Sequence, residues 1–307
     1  MRTETVALAA VSKSYGAERA VRAVDLSLKA GECIGLVGHN GAGKSTLIKL
    51  MLGLIRPTSG KVVVLGEDPA SGSAARARRE VGYLPENVAL YPAMTGRETL
   101  AFYARLKRQP PAGNEALLER VGLAQAARRR VGTYSKGMRQ RLGLAQALLG
   151  QPKVLLLDEP TTGLDPALRQ SFYEVVRELR DGGATVLLSS HALAELEGEV
   201  DRVVIMSRGA KVADGTLLEL RRLADRPVRI RLTLPEVLLE QLPRVIGPAA
   251  GWRRISPGVV ELSCRDTDKI EALQQISRLP VPLQDIEILP PSLDDIYADF
   301  LRREAAE

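Results

Sequence analysis

At 307 residues the chain is long enough for two domains of roughly 150 residues each, and 45% hydrophobic residues give it a sizeable core. Its charge of +6 arises from 43 Lys and Arg against 37 Asp and Glu, yet aromatics are only 4%. None interleaves with the basic clusters Arg76 to Arg79 and Arg128 to Arg130, which argues against a base-stacking nucleic-acid platform and for solvated faces or attraction to anionic headgroups.

Cys33 and Cys264 lie far apart without CxxC spacing, which argues against a metal or disulfide framework, and a reducing compartment is expected. No apolar run approaches the roughly 18 residues that a membrane span needs. The N-terminus, Met1-Arg2-Thr3-Glu4, lacks the basic-then-apolar pattern of a secretion signal.

The first 65 residues read as β-rich, with short apolar runs at Val21 to Leu28 and Val62 to Leu65. Between them Cys33-Ile34-Gly35-Leu36-Val37 reads as a buried strand, followed by a Gly-rich loop and a helix from Lys44 to about Leu54. From residue 86 to 150 the pattern is helical. Thr95 and Glu98 have capping-box spacing before a helix at Thr99 to Lys107.

Strands at Val154 to Leu157 and Thr185 to Ser189 flank a helix at Pro166 to Arg180, an alternation that predicts a parallel sheet with covering helices. Val203 to Met206 and Lys211 to Asp214 form a hairpin around Gly209. A boundary near Arg222 to Pro227 divides the chain into domains 1–222 and 223–307. Beyond it the expected order is strand (Val228 to Leu234), helix (Pro235 to Val245), strands (Trp252 to Ser256, Val259 to Cys264), helix (Lys269 to Arg278) and strand (Asp285 to Leu289). This βαββαβ order predicts a small ferredoxin-like domain, closed by a helix at Leu293 to Arg303.

The chemistry begins at Gly38-His39-Asn40-Gly41-Ala42-Gly43-Lys44-Ser45-Thr46, which has the spacing of a phosphate loop in the strand–loop–helix context it requires. The glycines let backbone N–H groups reach phosphate, and the helix after Lys44 adds its positive end. Lys44 supplies a full charge to the β and γ phosphates of ATP, and Ser45 Oγ is placed to ligate Mg²⁺. Asp158 and Glu159 end an apolar strand, so two carboxylates emerge at one sheet edge. A well-placed base there is worth ~10²–10⁴ in rate.

Between these motifs lies Tyr134-Ser135-Lys136-Gly137-Met138-Arg139-Gln140. It resembles the signature of the ABC ATPases, which usually reads Leu-Ser-Gly-Gly-Gln. The resemblance implies a P-loop ABC nucleotide-binding fold: a β-rich N-terminal part, a parallel-sheet core and a helical subdomain at about 87–150. It also implies roles. Asp158 holds Mg²⁺, Glu159 polarises the attacking water, and His191 is the switch histidine at the γ-phosphate. Tyr15 stacks on adenine. Glu86 stands where glutamine usually reaches the metal, so its own metal contact is in question. Ser135 and Gly137 cap the γ-phosphate bound by a second copy, and Asp165 crosses the same interface. Two ATP would then be sandwiched in a head-to-tail homodimer. Lys136 and Met138 replace the usual glycine and glutamine.

The phrase Pro290-Pro291-Ser292-Leu293-Asp294-Asp295-Ile296-Tyr297 resembles the tail of ATPases that serve exporter-type permeases. Gly38-His39-Asn40, Leu84-Pro85-Glu86-Asn87-Val88 and 134–150 are similar to the NosF group, which supports copper-site assembly of nitrous oxide reductase. That resemblance implies a NosY-like membrane permease, a periplasmic NosD-like protein, and a peripheral place on the cytoplasmic face of the inner membrane. A general exporter of drug, lipid or polysaccharide is the alternative. A soluble ATPase of ribosomes or DNA fits less well, because the chain has one of each motif and no inserted coiled coil. Docking to a permease is expected after Glu86, around Tyr91, Pro92 and Met94.

Overall fold

The computed structural model describes residues 3–191, 193–224, 226–236, 252–278 and 282–306. Its contacts divide the chain into two units, Met1–Gly215 and Thr216–Glu307. The sequence boundary lay after residue 222. The helix α7 (Leu217–Leu223) instead groups with the second unit, where it packs on the C-terminal helix.

The first unit contains two sheets. In one, β1 (Glu4–Tyr15) pairs antiparallel with both β2 (Glu18–Lys29) and β4 (Ser59–Val64). The other has the order β5-β6-β7-β3-β8-β9. Its strands are β3 (Cys33–Val37), β5 (Val81–Leu84), β6 (Val154–Leu157), β7 (Thr185–Ser190), β8 (Arg202–Ser207) and β9 (Ala210–Gly215). All neighbours in it are parallel except β8 and β9, which form the expected hairpin. Every residue of β3, β6 and β7 is buried. That is why these strands read as continuous apolar runs: parallel strands are covered on both faces.

The core of this unit joins Val6, Leu8 and Leu28 of the antiparallel sheet to Ile34, Leu36 and Leu156 of the parallel one. Leu47, Ile48 and Met51 of α1 (Lys44–Met51) complete the same cluster. Helix α1 stops short of the expected Leu54. Gly53 adopts φ 68° while the Leu54 N–H reaches back to Lys49 O, which ends the helix before Pro57.

Helix α2 (Ala75–Arg79) precedes β5. Helices α3 (Gly96–Leu106), α4 (Asn114–Arg120) and α5 (Lys136–Ala147) form the helical part between β5 and β6. The capping box is present: Thr95 accepts from Glu98 N, and the Glu98 carboxylate accepts from Thr95 N. It starts α3 at the capping-box position, as expected. Helix α6 (Pro166–Asp181) lies between β6 and β7, as expected.

In the second unit β10 (Val228–Thr233), β11 (Trp252–Ser256), β12 (Val259–Cys264) and β13 (Asp285–Leu289) make an antiparallel sheet in the order β11-β12-β10-β13. This is the strand order of a ferredoxin-like domain. Val228, Ile230 and Leu232 are buried, and Ile230 and Leu232 join Val260, Leu262 and Ile276 in a separate core. Arg229 and Arg231 take the other face, where Arg253, Glu261, Arg231 and Glu287 form an alternating charge ladder across all four strands. Helix α8 (Lys269–Ser277) falls where expected, as does α9 (Leu293–Ala306), capped by Ser292 and Asp295. The helix expected at Pro235 to Val245 lies almost wholly outside the described residues. Among the described residues no helix is long and apolar enough to cross a membrane.

Lys107, the C-cap of α3, donates from Nζ to Leu149 O. Burial pulls its pKa from an ordinary 10.5 down to about 8. The unfolded chain keeps that proton to higher pH than the folded one, so this group's burden is full below about pH 8 and lifts as pH rises from there to 10.5. Lys107→Met should therefore raise the thermal unfolding midpoint at pH 7, with the gain shrinking across that window. Differential scanning calorimetry of both proteins at several pH values checks this.

Candidate active site

Four strand ends converge here. β3 runs between β7 and β8, and its C-terminal end feeds the loop 38–43 and then α1. Gly41 and Gly43 have φ of 85° and 102°, which side-chain-bearing residues rarely adopt. The loop is also packed tightly. A Cβ on Gly43 would lie 2.5 Å from Ala20 O, and one on Gly38 would lie 2.6 Å from Met206 O. The first turn of α1 carries no side-chain cap, which leaves its N–H groups to serve an anion. Asn40 and Thr46 flank this turn; His39 is exposed, with Nδ1 2.7 Å from Asn40 O.

Lys44 is only 6% exposed. Its Nζ donates to Gly38 O at 2.5 Å and lies 3.4 Å from Glu159 Oε1. On the far side of the same carboxylate, His191 Nδ1 sits 2.8 Å from Glu159 Oε2. Lys44 follows β3, Glu159 follows β6 and His191 follows β7, so three neighbouring strands bring the expected trio together. Val37 of β3 is opposite Ser190, so β3 and β7 end level, and Leu157 of β6 is opposite Leu188, so Glu159, two residues further on, leaves near the same edge.

Glu159 adopts φ 48°, a strained conformation for a residue with a side chain. Ser189 supports it. The Glu159 N–H donates to Ser189 Oγ at 2.9 Å, and that hydroxyl donates to Asp158 Oδ1 at 2.7 Å. One buried hydroxyl thus fixes the backbone of one acid and the carboxylate of the other. Sequence reasoning took Ser189 only as a strand end. The available signal was a polar Ser-Ser pair closing a strand that is otherwise buried and apolar.

Asp158 is 5% exposed, and its second carboxylate oxygen has no hydrogen bond among the described residues. With the Ser45 hydroxyl at the start of α1, it offers a small set of hard oxygen donors. That suits Mg²⁺, which keeps several waters and takes the rest of its shell from phosphate. Glu86 is exposed two residues beyond Leu84, the end of β5, which pairs with Leu157 of β6. Tyr15 ends β1 at the hairpin tip and is 48% exposed, with Lys13 Nζ 5.2 Å from its ring centre.

Ser135, Gly137 and Asp165 form a second cluster. Ser135 caps α5 by accepting from Met138 N at 3.2 Å, and Asp165 caps α6 by accepting from Leu168 N at 2.9 Å. Gln140, one turn into α5, donates to Pro160 O at 3.2 Å. The start of α5 is thereby fastened to the loop that runs from Glu159 to Asp165. Ser135 and Asp165 each bond within the helix they cap rather than to Lys44 or His191.

The sequence profile described as ABC transporter matches residues 21–162. An uncharacterized ABC transporter ATP-binding protein, YxlF of Bacillus subtilis (strain 168), is 39% identical over 299 residues, covering 95% of this chain and 98% of its own length. The chain belongs to the ABC transporter ATP-binding proteins. Nod factor export ATP-binding protein I of Rhizobium etli is similar over 301 residues at 35% identity, covering 96% of this chain and 92% of its own. A solved ATP-binding subunit of an ABC transporter superposes with a TM-score of 0.67 at 34% identity, over 71% of this chain and 92% of that one. As a member of this ATP-hydrolysing family, the ABC protein described here is an ATPase.

Ser189→Ala would strand the buried Glu159 N–H and release Asp158. An unsatisfied buried group costs about 1–3 kcal/mol. The unfolding free energy should fall by about that amount, and kcat should fall more than the ATP KM rises. Urea titration and steady-state ATPase assays measure the two.

Proposed function

We propose that this ABC ATPase is the motor of an exporter-type membrane complex, in which two copies close head to tail around two ATP. The observation that carries the reading is the separation of two half-sites on one chain. Lys44, Glu159 and His191 form one cluster; Ser135, Gly137 and Asp165 form the other, each satisfied by its own bonds. A second copy would bring the signature end of α5 against a nucleotide held by the phosphate loop.

In this reading the N–H groups of Gly41, Gly43 and the first turn of α1 hold the β and γ phosphates, with Gly38, Asn40 and Thr46 shaping the loop. Lys44 neutralises the charge that builds in transfer. Tyr15 offers its exposed ring to adenine. Ser45 and Asp158 hold Mg²⁺, whose part is to neutralise phosphate charge, and Glu86 faces the same metal or reports on it to the permease. Glu159 takes a proton from the attacking water, and His191, held by the same carboxylate, orients that water at the γ-phosphate. Ser135 and Gly137 of the second copy close the site, and Asp165 links the two.

The permease would dock on the helical part. Tyr91 is exposed and stacks edge-on to Phe102 at 5.9 Å, and Phe102 to Tyr103 at 5.3 Å, beside Pro92 and Met94. A cluster of exposed aromatics at a polar surface suits a contact face. Tyr91→Glu should abolish permease capture while ATP binding survives. An unchanged capture in a pull-down would place the permease elsewhere.

Similarity across nearly the whole chain to a protein named for Nod factor export supports an exporter of drug, lipid or polysaccharide. A NosF-like role in copper-site assembly of nitrous oxide reductase is the second reading, favoured by the wording of Gly38-His39-Asn40, 84–88 and 134–150. Both place the protein peripherally on the cytoplasmic face of the inner membrane. A pull-down of Glu159→Gln protein with ATP and Mg²⁺ from solubilised membranes separates them. A permease alone supports the exporter. A NosY-like permease with a periplasmic NosD-like protein supports the second reading. Ribosomal or DNA-bound partners would overturn both.

A further inference from the structure

Two loops leave the sheet beside Lys44, one after β6 and one after β7, and side chains join them. One junction is His191 Nδ1 on Glu159 Oε2 at 2.8 Å. Another lies further along both loops, where Thr161 Oγ1 donates to Glu195 Oε2 at 3.1 Å. Glu195 Oε1 also lies 3.0 Å from Arg169 Nη1, in the first turn of α6. Thr161 is 4% exposed, and Glu195 stands on a short 3-10 turn, Leu193–Leu196, whose Leu196 is fully buried. A Cβ on Gly35 of β3 would lie 2.5 Å from Leu196 Cδ1, so that turn is seated closely on β3.

The imidazole of His191 is 59% exposed, and Glu159 is its one hydrogen-bond partner among the described residues. A single bond leaves an exposed side chain much of its freedom unless the backbone carrying it is held. Glu195 ties the same loop down four residues on. Its two oxygens are engaged separately, one by a hydroxyl and one by a guanidinium, and bonds to a charged group are the stronger ones. A positioned group displaced by about 1 Å can lose on the order of 10² in rate, so a tie this close to His191 bears on hydrolysis.

We infer that Glu195 is a positioning residue for hydrolysis, its carboxylate fixing the loop on which His191 meets Glu159. This rests on the roles proposed above for His191 and Glu159. Glu195 touches neither nucleotide nor water and acts through His191. Arg169 donates its N–H to Asp165 O at 3.0 Å, so the tie also runs to the residue that caps α6.

The test measures kcat and KM of the full chain with ATP and Mg²⁺, using γ-labelled ATP so that slow residual rates are read. Glu195→Ala should lower kcat about tenfold or more while the ATP KM stays within about twofold. Thr161→Val, which removes one of the two bonds, should lose less, and Thr161→Ser, which keeps the hydroxyl, should retain most of the rate. Glu195→Gln keeps an acceptor for Thr161 without the charge and should fall between, which covers the case that Glu195→Ala does not fold. In a His191→Ala background Glu195→Ala and Glu195→Gln should add little, because residues that act as a unit are not additive. The same fold-loss in both backgrounds, or Thr161→Val as active as Thr161→Ser, would overturn the role of Glu195. A His191→Ala protein with unchanged kcat would overturn the reading of His191 itself.

Discussion

The carboxylate of Glu159 lies between Lys44 and His191, and those three side chains arrive on three adjacent parallel strands. Much of the first unit can be understood as what it takes to hold that contact. The three residues leave the same edge of the sheet because β7 lies between β6 and β3, and strands inside a parallel sheet are buried on both faces. Continuous apolar runs, covering helices and a second sheet over the core all follow from that burial. The strain at Glu159, φ 48°, is tolerated because Ser189 gives its N–H a partner. Tight glycines at 38 and 43 serve the same end by letting the loop seat against β8 and β2.

The parts of this arrangement that were legible in the sequence are those with a local signature. Gly-x4-Gly-Lys-Ser spacing has no ready alternative reading, and a run such as Val154 to Leu157 followed by two acids locates a strand end as well as a strand. The C-terminal strands were legible for a similar reason: Val228, Ile230 and Leu232 alternate with arginines. What escaped was non-local. β1 fell inside the β-rich stretch but was not delimited, because a register shift near Ala10, which sits at φ 47°, breaks its alternation between Leu8 and Val11. The role of Ser189 depends on residues 31 positions away. The grouping of α7 with the second unit depends on its packing against α9, which no local pattern announces.

Ser135 and Asp165 cap the starts of α5 and α6, apart from the cluster around Glu159. Nothing in the cluster of Ser135, Gly137 and Asp165 is aimed at Lys44 of the same chain by a hydrogen bond, yet Gln140 ties it to the loop that leaves Glu159. That bond, Gln140 Nε2 to Pro160 O, is a direct link between α5 and the residue that follows Glu159. The family relationship fixes the motor. Which load the motor carries is written in the docking face and the partners rather than in the phosphate site, whose chemistry is common to exporters and assembly systems alike.

The most direct measurement is the initial ATPase rate of the purified protein as its concentration is raised from nanomolar to micromolar at saturating ATP and Mg²⁺. If the two half-sites act only when supplied by different copies, specific activity should rise steeply with concentration and then level off. A specific activity that is constant across the range, in protein that sediments as a monomer throughout, would mean that one chain hydrolyses ATP alone and would contradict the account.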